Sequence, residues 1–422
     1  MAAGDRRARP CRRRERFCRA RRPAERGPSV RRGLMEFNLR HLRIFADVVA
    51  TGSVTEAAAR IGLSQPAVTQ AVVRLEKQLG ATLLDRGHRR VEPTPAGALF
   101  AARAERALAR LTEAASAAGP RLAWTATSAQ LAAFVALAST GRSTDAARAL
   151  HIAQPTLHRA AAAIQKEATR PLMERTSRGF VPTRLGSALA RAVQLAFAEM
   201  DQASMEVAEL GARDVGRIAI GAMPLSRAVA LPLAVARFRR SRPAITVRIV
   251  DGPYVELLDG LESGTLDFLV GALRNPPPSP DIEQEALFSD DLVIVCGPAH
   301  PLAGSVTVTR ENILPYPFVV ATAGTPTRQH FDRLVAGAPA GGPGLIESGS
   351  MIFMREMLLH SEHLGCVSRR QAEAEAKHGA MHVLPMALPG TERVIGLTTR
   401  RGWRPTRSQA ELLDLVREIA AI

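Results

Sequence analysis

The 422-residue sequence contains little cysteine, few aromatic residues and no long apolar run. Its four cysteines, at positions 11, 18, 296 and 366, form no CxxC or Cys/His pattern, which excludes a disulfide scaffold and a thiolate zinc site. No stretch approaches the ~20 uncharged apolar residues of a membrane helix, so we expect no membrane partner. Residues 1–34 lack the apolar run of a secretory signal, which predicts a cytoplasmic protein.

Lysine is also scarce, with three residues against fifty-three arginines, and the net charge of +16 is unevenly distributed. Residues 1–34 carry +10, residues 35–124 carry +4, residues 125–211 carry +2 and residues 212–422 are neutral. This asymmetry is expected if only the front of the chain contacts the phosphates of double-stranded DNA. The length itself predicts two or three domains.

The arginine-rich segment 1–34 has two interpretations. The excess of Arg, Ala, Gly and Pro suggests a G+C-rich coding sequence, and translated upstream sequence from such a genome would look the same, with Met35 as the true start. Alternatively, the segment is a disordered arm that binds DNA. The intact mass of the native protein distinguishes the two.

The sequence repeats itself with an offset of 89 residues, so that residues 42–97 align with residues 131–186 without a gap. We refer to residues 35–124 as copy one and to residues 125–211 as copy two. Such a register over 56 positions indicates a duplicated domain. The identical pairs include Phe45/Phe134, Thr51/Thr140, Gly52/Gly141, Gln65/Gln154, Pro66/Pro155, Arg86/Arg175, Thr94/Thr183 and Gly97/Gly186.

Each copy has the pattern of a helix-turn-helix followed by a wing. In copy one, apolar residues at helical spacing predict a first helix that Gly52 ends, and Ser53 is placed to cap a short second helix that Gly62 ends. Ser64 is placed as the N-cap of a third helix, with Pro66 in its first turn. Two short helices joined by a tight turn are suited to the major groove of DNA.

The third helix of copy one is predicted to bury its apolar side chains and to expose polar ones on its early turns. A basic turn follows it, and such a wing reaches phosphates or the minor groove. The candidate DNA contacts of copy one are Ser64, Gln65, Pro66, Thr69, Gln70, Arg74, Arg86, Arg89 and Arg90.

Copy two differs at the positions that would read DNA. Ser64 becomes Ala153, which predicts the loss of an N-cap, Arg74 becomes Ala163, and alanines fill positions 160–163. Copy two is therefore either a second DNA-binding domain or a packing and dimerisation module. Its candidate DNA contacts are Gln154, His158, Arg159, Arg175 and Arg178.

The segments 45–53, 63–69 and 93–97 resemble the DNA-binding domain of the LysR-type transcriptional regulators of bacteria almost position by position. The second copy is a departure, because the family usually has one such domain before its linker helix. In that family the linker helix pairs subunits, which implies a homo-oligomer. Helical patterns at 96–117 and 185–210 fit this role, and the second carries an apolar stripe of Leu189, Val193, Phe197, Met200 and Met205.

From residue 215 onward, strand and helix patterns alternate, which predicts parallel α/β sheets. Segment 292–296 looks like a crossover into a second lobe, and segments 394–397 and 408–419 look like the return to the first. The phrases 261–267 and 300–303 resemble the LysR effector-binding domain, which has the two-lobed fold of periplasmic solute-binding proteins. The expected fold class is α+β multidomain: two winged helix-turn-helix domains and a two-lobed α/β effector domain at 212–422.

Small ligands of two-lobed α/β proteins bind in the cleft at the carboxyl ends of the strands. Three loops fit this description, and their hydroxyl side chains, Ser226, Thr325 and Ser350, are the candidate effector contacts. Arg227 and Arg328 lie beside these loops and are placed to pair with a carboxylate. We therefore expect a small polar or anionic effector and no cofactor.

Together these patterns predict a sequence-specific transcriptional regulator that responds to a small molecule. The alternative is an enzyme or solute-binding protein of the same two-lobed fold with accessory DNA-binding domains. The residues disfavour an enzyme, because Cys296 and Cys366 lie in apolar runs typical of buried core and the histidines lack metal-ligand spacing.

Overall fold

A computed structural model describes residues 37–85, 87, 90–177, 179–227, 230–337 and 344–421, without the side chains of Leu225 and Arg227. The arginine-rich segment 1–34 and the candidate DNA contacts Arg86, Arg89 and Arg178 lie outside the described residues.

Copy one is a three-helix domain with a two-stranded wing and a long linker helix. Gly52 and Gly62 end the first two helices in the left-handed region, at φ 64° and 71°, as predicted. The hydroxyl of Ser53 accepts a hydrogen bond from the backbone N–H of Glu56 at 3.2 Å, which confirms the predicted cap. The elements are α1 (Leu39–Thr51), α2 (Val54–Ile61), α3 (Gln65–Leu79), β1 (Leu84–Asp85), β2 (Glu92–Pro93) and α4 (Pro95–Ala118).

Copy two repeats this arrangement after a short helix, α5 (Leu122–Thr125), which straddles the boundary expected at residue 124. The predicted duplication is visible in equivalent hydrogen bonds: the N–H of Val91 donates to the carbonyl of Gly52 at 2.9 Å, and that of Phe180 donates to Gly141 at 2.7 Å. The elements are α6 (Ser128–Thr140), α7 (Ser143–Leu150), α8 (Gln154–Glu167), β3 (Met173–Thr176), β4 (Gly179–Pro182) and α9 (Arg184–Leu210).

A glycine stands in the first turn of each linker helix because the helix passes very close to the wing. A Cβ atom at Gly97 would lie 1.9 Å from the carbonyl oxygen of Leu83, and one at Gly186 would lie 1.9 Å from that of Leu172. Any side chain at these positions would force the helix away from the wing.

One sequence argument about copy two is wrong. Ser64 is the N-cap residue of α3, but its side chain makes no capping hydrogen bond, so the change to Ala153 removes none. The lost cap lies elsewhere: Arg142 replaces Ser53 and leaves α7 without a side-chain cap. His151 also replaces Gly62 and adopts a left-handed conformation at φ 55°, which is unfavourable for a residue with a Cβ atom.

The C-terminal half, the sensing domain, contains two five-stranded sheets, one in each lobe. The first lobe is built from β5 (Arg217–Ala222), α10 (Ala230–Ser241), β6 (Thr246–Val250), α11 (Tyr254–Glu262), β7 (Phe268–Ala272) and β8 (Ile282–Asp290). The second contains β9 (Leu292–Cys296), α12 (Arg310–Ile313), β10 (Phe318–Val320), α13 (Pro326–Leu334), β11 (Leu345–Glu347), α14 (Met351–His360), β12 (Leu364–Ser368), α15 (Arg369–Ala376) and β13 (His382–Val383).

The chain crosses between the lobes twice, as the sequence predicts. It enters the second lobe between β8 and β9 and returns through β14 (Arg393–Arg400) and α16 (Arg407–Ala420). The first sheet has the order β6-β5-β7-β14-β8, and the second has the order β11-β10-β12-β9-β13. Strands β5, β6 and β7 are parallel, whereas β14 runs antiparallel to β7 and β8.

A single hydrophobic core extends through both helix-turn-helix copies. The linker helices α4 and α9 pack against each other, and most of the apolar stripe of α9 is buried within the chain: Leu189, Val193, Phe197 and Met200 are at most 2% exposed. A second subunit therefore has no access to the stripe that the family resemblance assigned to subunit pairing. None of the helices in the described ranges combines the length and apolar character needed to cross a bilayer.

Candidate DNA-binding surface and effector cleft

Helix α3 has the two faces that the sequence predicts. Val68, Val72 and Leu75 are at most 1% exposed and pack into the core. On the opposite side the early turns carry exposed or half-buried polar groups, and the last candidate lies on the third turn. These candidate contacts are Ser64, Gln65, Pro66, Thr69, Gln70 and Arg74.

Exposed arginines lie on α3 and on the neighbouring helix α1. The pKa of His41, on α1, is lowered first by burial and then by the charges of Arg74 and Arg40. The carboxylate of Glu76 does not oppose this charge from the front of the helix, because it accepts hydrogen bonds from the backbone of Leu83 at 2.9 Å and of Leu84 at 3.3 Å. Such a surface favours a polyanion such as DNA.

In the wing, Arg90 is exposed and also contacts the end of α1. Its guanidinium donates to the carbonyl of Thr51 at 3.3 Å. A Cβ atom added at Gly52 would lie 3.1 Å from the Nε of Arg90, so the two residues are in close contact. A cation at a helix C-terminus is favourable, so Arg90 holds the wing against α1 as well as facing solvent.

Copy two presents a smaller set of free polar groups on α8. The amide of Gln154 donates to the hydroxyl of Ser143 at 2.8 Å, and the ring of His158 lies 6.2 Å from that of Phe180. Arg159 and the wing residue Arg175 are exposed. All four of these candidate contacts are exposed, and the amide of Gln154 is already engaged by Ser143.

The three hydroxyls predicted to contact the effector are all engaged in local structure. Ser226 is 1% exposed, and its hydroxyl donates to the carbonyl of Met223 at 2.8 Å, which removes it from the cleft surface in this conformation. Thr325 is the N-cap of α13, and Ser350 is the N-cap of α14. Thr325 and Ser350 remain exposed or half-buried at the strand ends where the sequence placed them.

Arg328 is not available for the carboxylate pairing that the sequence suggested. Its guanidinium already bonds to Asp332 at 2.7 Å and to Glu347. The hydrogen bonds that Arg328 donates to Glu347 and to Asp332 raise its pKa.

No sequence pattern singled out Arg393, which lies at the start of β14 where the lobes join. Its guanidinium donates to the hydroxyl of Thr327 on α13 at 3.3 Å, so it extends from the hinge to the second lobe. The Nε atom of Arg393 is buried without a hydrogen-bond partner. The guanidinium as a whole forms no ion pair with a carboxylate of the described residues. Burial, the largest cause, lowers the pKa of Arg393.

Two other charged groups accompany Arg393 at this junction. Arg274 follows β7, and its guanidinium carbon lies 4.5 Å from the ring centroid of Tyr254; it too forms no ion pair within the described ranges. Asp290, at the end of β8, is 5% exposed, and burial raises its pKa. The junction therefore brings two arginines together with one buried carboxylate, Asp290, whose charge also acts on Arg393.

The two lobes also touch through polar contacts at the rim of this cleft. The amide of Gln371, on α15, donates to the carbonyl of Pro224 at 3.1 Å. Arg369 forms a two-pronged ion pair with Asp291, with both N–O distances at 2.8 Å.

A buried arginine in copy one, also without a sequence signal, connects both linker helices to the sensing domain. The side chain of Arg103, on α4, is 2% exposed and pairs with Glu199 at 3.0 Å and with Glu206 at 2.6 Å, both on α9. It also donates to the carbonyl of Arg404, just before α16, at 2.8 Å. Burial acts to lower the pKa of Arg103, but Glu206 and Glu199 leave it above its usual value.

The two cysteines of the C-terminal half are free thiols in the buried core. Burial raises the pKa of the Cys366 thiol to about 12 and that of Cys296 to about 11. No group of three or more His, Cys, Asp or Glu side chains within the described residues is arranged to hold a metal ion.

The paired helix-turn-helix copies and the two-lobed domain define a DNA-binding regulator with a ligand-sensing half. The description "Bacterial regulatory helix-turn-helix protein, lysR family" matches residues 39–98 and again 128–187, and "LysR substrate binding domain" matches residues 211–421. The chain belongs to the LysR family of transcriptional regulators, and the expectation from its sequence is confirmed.

Named relatives agree with this assignment. The chain is 30% identical to the HTH-type transcriptional regulator GalR of Pseudomonas putida over 388 residues, which cover 90% of this chain and 97% of that protein. It is 27% identical to the HTH-type transcriptional regulator PcaQ of Agrobacterium fabrum, with 65% and 89% of the two chains covered. These relatives are transcriptional regulators, so the enzyme alternative is not supported.

A solved structure of full-length OxyR from Pseudomonas aeruginosa has the same fold. Its TM-score to this chain is 0.53 at 21% identity, and the match covers 70% of this chain and 96% of that one.

Proposed function

We propose that copy one reads operator sequence with the early turns of α3 and positions itself on the DNA backbone with its wing. This proposal rests on the exposure of Gln65, Gln70 and Arg74 on a helix whose opposite face is fully buried. Amide and guanidinium groups hydrogen-bond the edges of bases, and each good contact contributes about 1–3 kcal/mol of discrimination. The wing residues Arg86, Arg89 and Arg90 would contact phosphates or the minor groove.

The test compares specific and random DNA in an electrophoretic shift assay. Gln65→Ala combined with Gln70→Ala should weaken the complex with a promoter fragment from beside the gene and leave binding to random DNA nearly unchanged. Gln78→Ala, an exposed glutamine at the far end of the same helix, is the matched control. Equal loss on both DNAs would show that α3 does not read sequence.

We further propose that the sensing domain binds a small anionic metabolite between its lobes, with Arg393 and Arg274 as the charge partners. The buried Nε of Arg393 and the absence of an ion pair at either arginine within the described residues support this assignment. Thr325 and Ser350, with the adjoining N-termini of α13 and α14, would supply further donors. We assign no direct contact to Ser226, because its hydroxyl is taken up by its own turn.

Thermal unfolding of the full chain with sugars, sugar acids and aromatic acids tests the effector class. Acids should raise the unfolding temperature more than neutral sugars of similar size do, and Arg393→Gln should abolish the shift. The control variant is Arg401→Gln, because Arg401 lies one residue beyond the far end of β14 and is largely exposed. Stabilisation by the same acid in Arg393→Gln would remove this arginine from the site.

We also propose that the protein acts in the cytoplasm as a homo-oligomer, with domain boundaries near residues 124 and 211. Because the apolar stripe of α9 is covered within the chain, a second copy would join through the sensing domain, where large apolar side chains are exposed. Sedimentation equilibrium across a concentration series measures the oligomeric state.

A further inference from the structure

The linker helices α4 and α9 run antiparallel within one chain. Arg103 bonds to Glu199, Gln202 and Glu206, whereas Arg106, one turn further along α4, bonds to Glu199 alone of these three. The contacts thus move backward along α9 as they move forward along α4. The equivalent helices of the two copies therefore cross with opposite directions.

The ends of the linker helices make reciprocal contacts with the opposite copy. At the end of α4, the carbonyl of Ala118 accepts a hydrogen bond from the N–H of Thr169, just after α8, at 2.9 Å. Beyond the end of α9, the guanidinium of Arg213 donates to the carbonyl of Leu79, the last residue of α3, at 3.1 Å. It also lies beside the next residue, Gly80, where an added Cβ atom would be 3.4 Å from it. Gly80 and Thr169 are counterparts under the 89-residue offset.

Antiparallel equivalent helices with reciprocal end contacts indicate a local two-fold axis that relates the two copies. Rotation about an axis leaves the component of any vector along that axis unchanged. If α3 exposes its early turns toward one end of the axis, α8 must expose its early turns toward the same end. With that orientation the two helix-turn-helix motifs present one common face.

We propose that a single chain is a complete two-site DNA-binding unit, in which α3 and α8 contact the two half-sites of one operator. This inference rests on the proposed DNA reading by copy one. Two-fold related motifs bind half-sites about one helical turn, or a multiple of it, apart. In this chain the second motif comes from copy two and not from a second subunit.

The chemistry of the two motifs makes the half-sites unequal. Copy one has exposed amides and Arg74 on α3, whereas copy two has Ala163 at the position of Arg74, and its Gln154 is bonded to Ser143. Arg159 and Arg175 of copy two are suited to phosphates. The operator therefore has one half-site that is read by sequence and one that is held mainly through its backbone.

The first experiment measures stoichiometry with the full chain and a labelled duplex trimmed to the protected region of the operator. Sedimentation velocity, with absorbance at two wavelengths, gives the number of chains per duplex. We expect one chain per duplex. A dimer that forms through the sensing domains would bind two duplexes and would therefore give the same ratio. Two chains on the shortest bound duplex would overturn the inference.

The second experiment assigns each motif to its half-site by measuring the affinity for every single-base change. Gln65→Ala should relax the base preference in one half-site only. Arg159→Ala with Arg175→Ala should weaken binding to all sequences and reduce the salt dependence by about 1.8 in log–log slope, at ~0.9 per phosphate contact. Arg237→Ala, a surface change on α10, is the control.

The outcomes separate the two proposals. Relaxed preference in both half-sites after Gln65→Ala, or an unchanged salt slope after the copy-two changes, would overturn the single-chain unit while copy one still reads DNA. The absence of any sequence-specific complex would instead refute the proposed function, and the single-chain unit with it.

Discussion

Replacing Arg103 with methionine should lower the free energy of unfolding of the N-terminal half by about 3–5 kcal/mol, because removal of one partner from a buried ion pair leaves the other charge uncompensated. The side chain is 2% exposed and bonds to two carboxylates, one amide oxygen and one backbone carbonyl. Methionine fills much of the same volume but donates no hydrogen bond.

The remaining partners determine the size of the loss. Glu199, whose side chain is 9% exposed, would keep Arg106 at 3.1 Å. Glu206, at 14% exposure, would lose the one ion pair that the described residues give it. Most of the penalty therefore comes from Glu206, and adding Glu206→Gln to Arg103→Met should recover part of the loss.

The assay is urea unfolding of the full chain, followed by far-ultraviolet circular dichroism. Arg110→Met, on the same helix, is the matched control, since Arg110 is half-buried and has no ion pair with a described carboxylate. It should change stability by less than about 0.5 kcal/mol. A loss below about 1 kcal/mol for Arg103→Met would show that water compensates the carboxylates and that the buried cluster contributes little.

Three further outcomes are expected. Arg142→Ser should stabilise copy two by about 1 kcal/mol in thermal scans because it restores a helix cap, and no gain would refute the cap assignment. His151→Gly should give a similar gain because glycine adopts the left-handed backbone conformation without strain. Peptide-resolved iodoacetamide labelling at pH 8 should leave Cys296 and Cys366 unmodified until the chain unfolds, because burial raises the pKa of both thiols. Burial also raises the pKa of Asp290, so wild-type stability relative to Asp290→Asn should fall as pH rises above the ordinary carboxyl value; a constant difference would contradict this.

Local sequence carries most of the information about the helix-turn-helix copies. Gly52, Ser53 and Gly62 act within one or two turns of their own position, so their roles could be predicted. Linker helices expected at 96–117 and 185–210 were found within one residue at each end. Strand β8 escaped prediction because its side chains alternate irregularly between buried and exposed at the sheet edge.

The residues that join distant parts of the chain could not be predicted. Arg103 meets partners 96 to 103 positions away on α9, and Arg393 meets Thr327 66 positions away. Each looks like an ordinary surface arginine until the helices and lobes are packed. Ser226 illustrates the opposite case, because a serine beside a strand end satisfies its hydroxyl locally as readily as it binds a ligand.

The pairing of α4 with α9 inside one chain has a consequence for how such a protein changes by mutation. In a symmetric dimer every substitution appears twice, so a change that suits one half of the DNA site is imposed on the other half as well. Here a substitution in copy one leaves copy two untouched. The differences at Ala163 and at Arg142 therefore lie on one side only, while copy one keeps Arg74 on α3 and the Ser53 cap of α2.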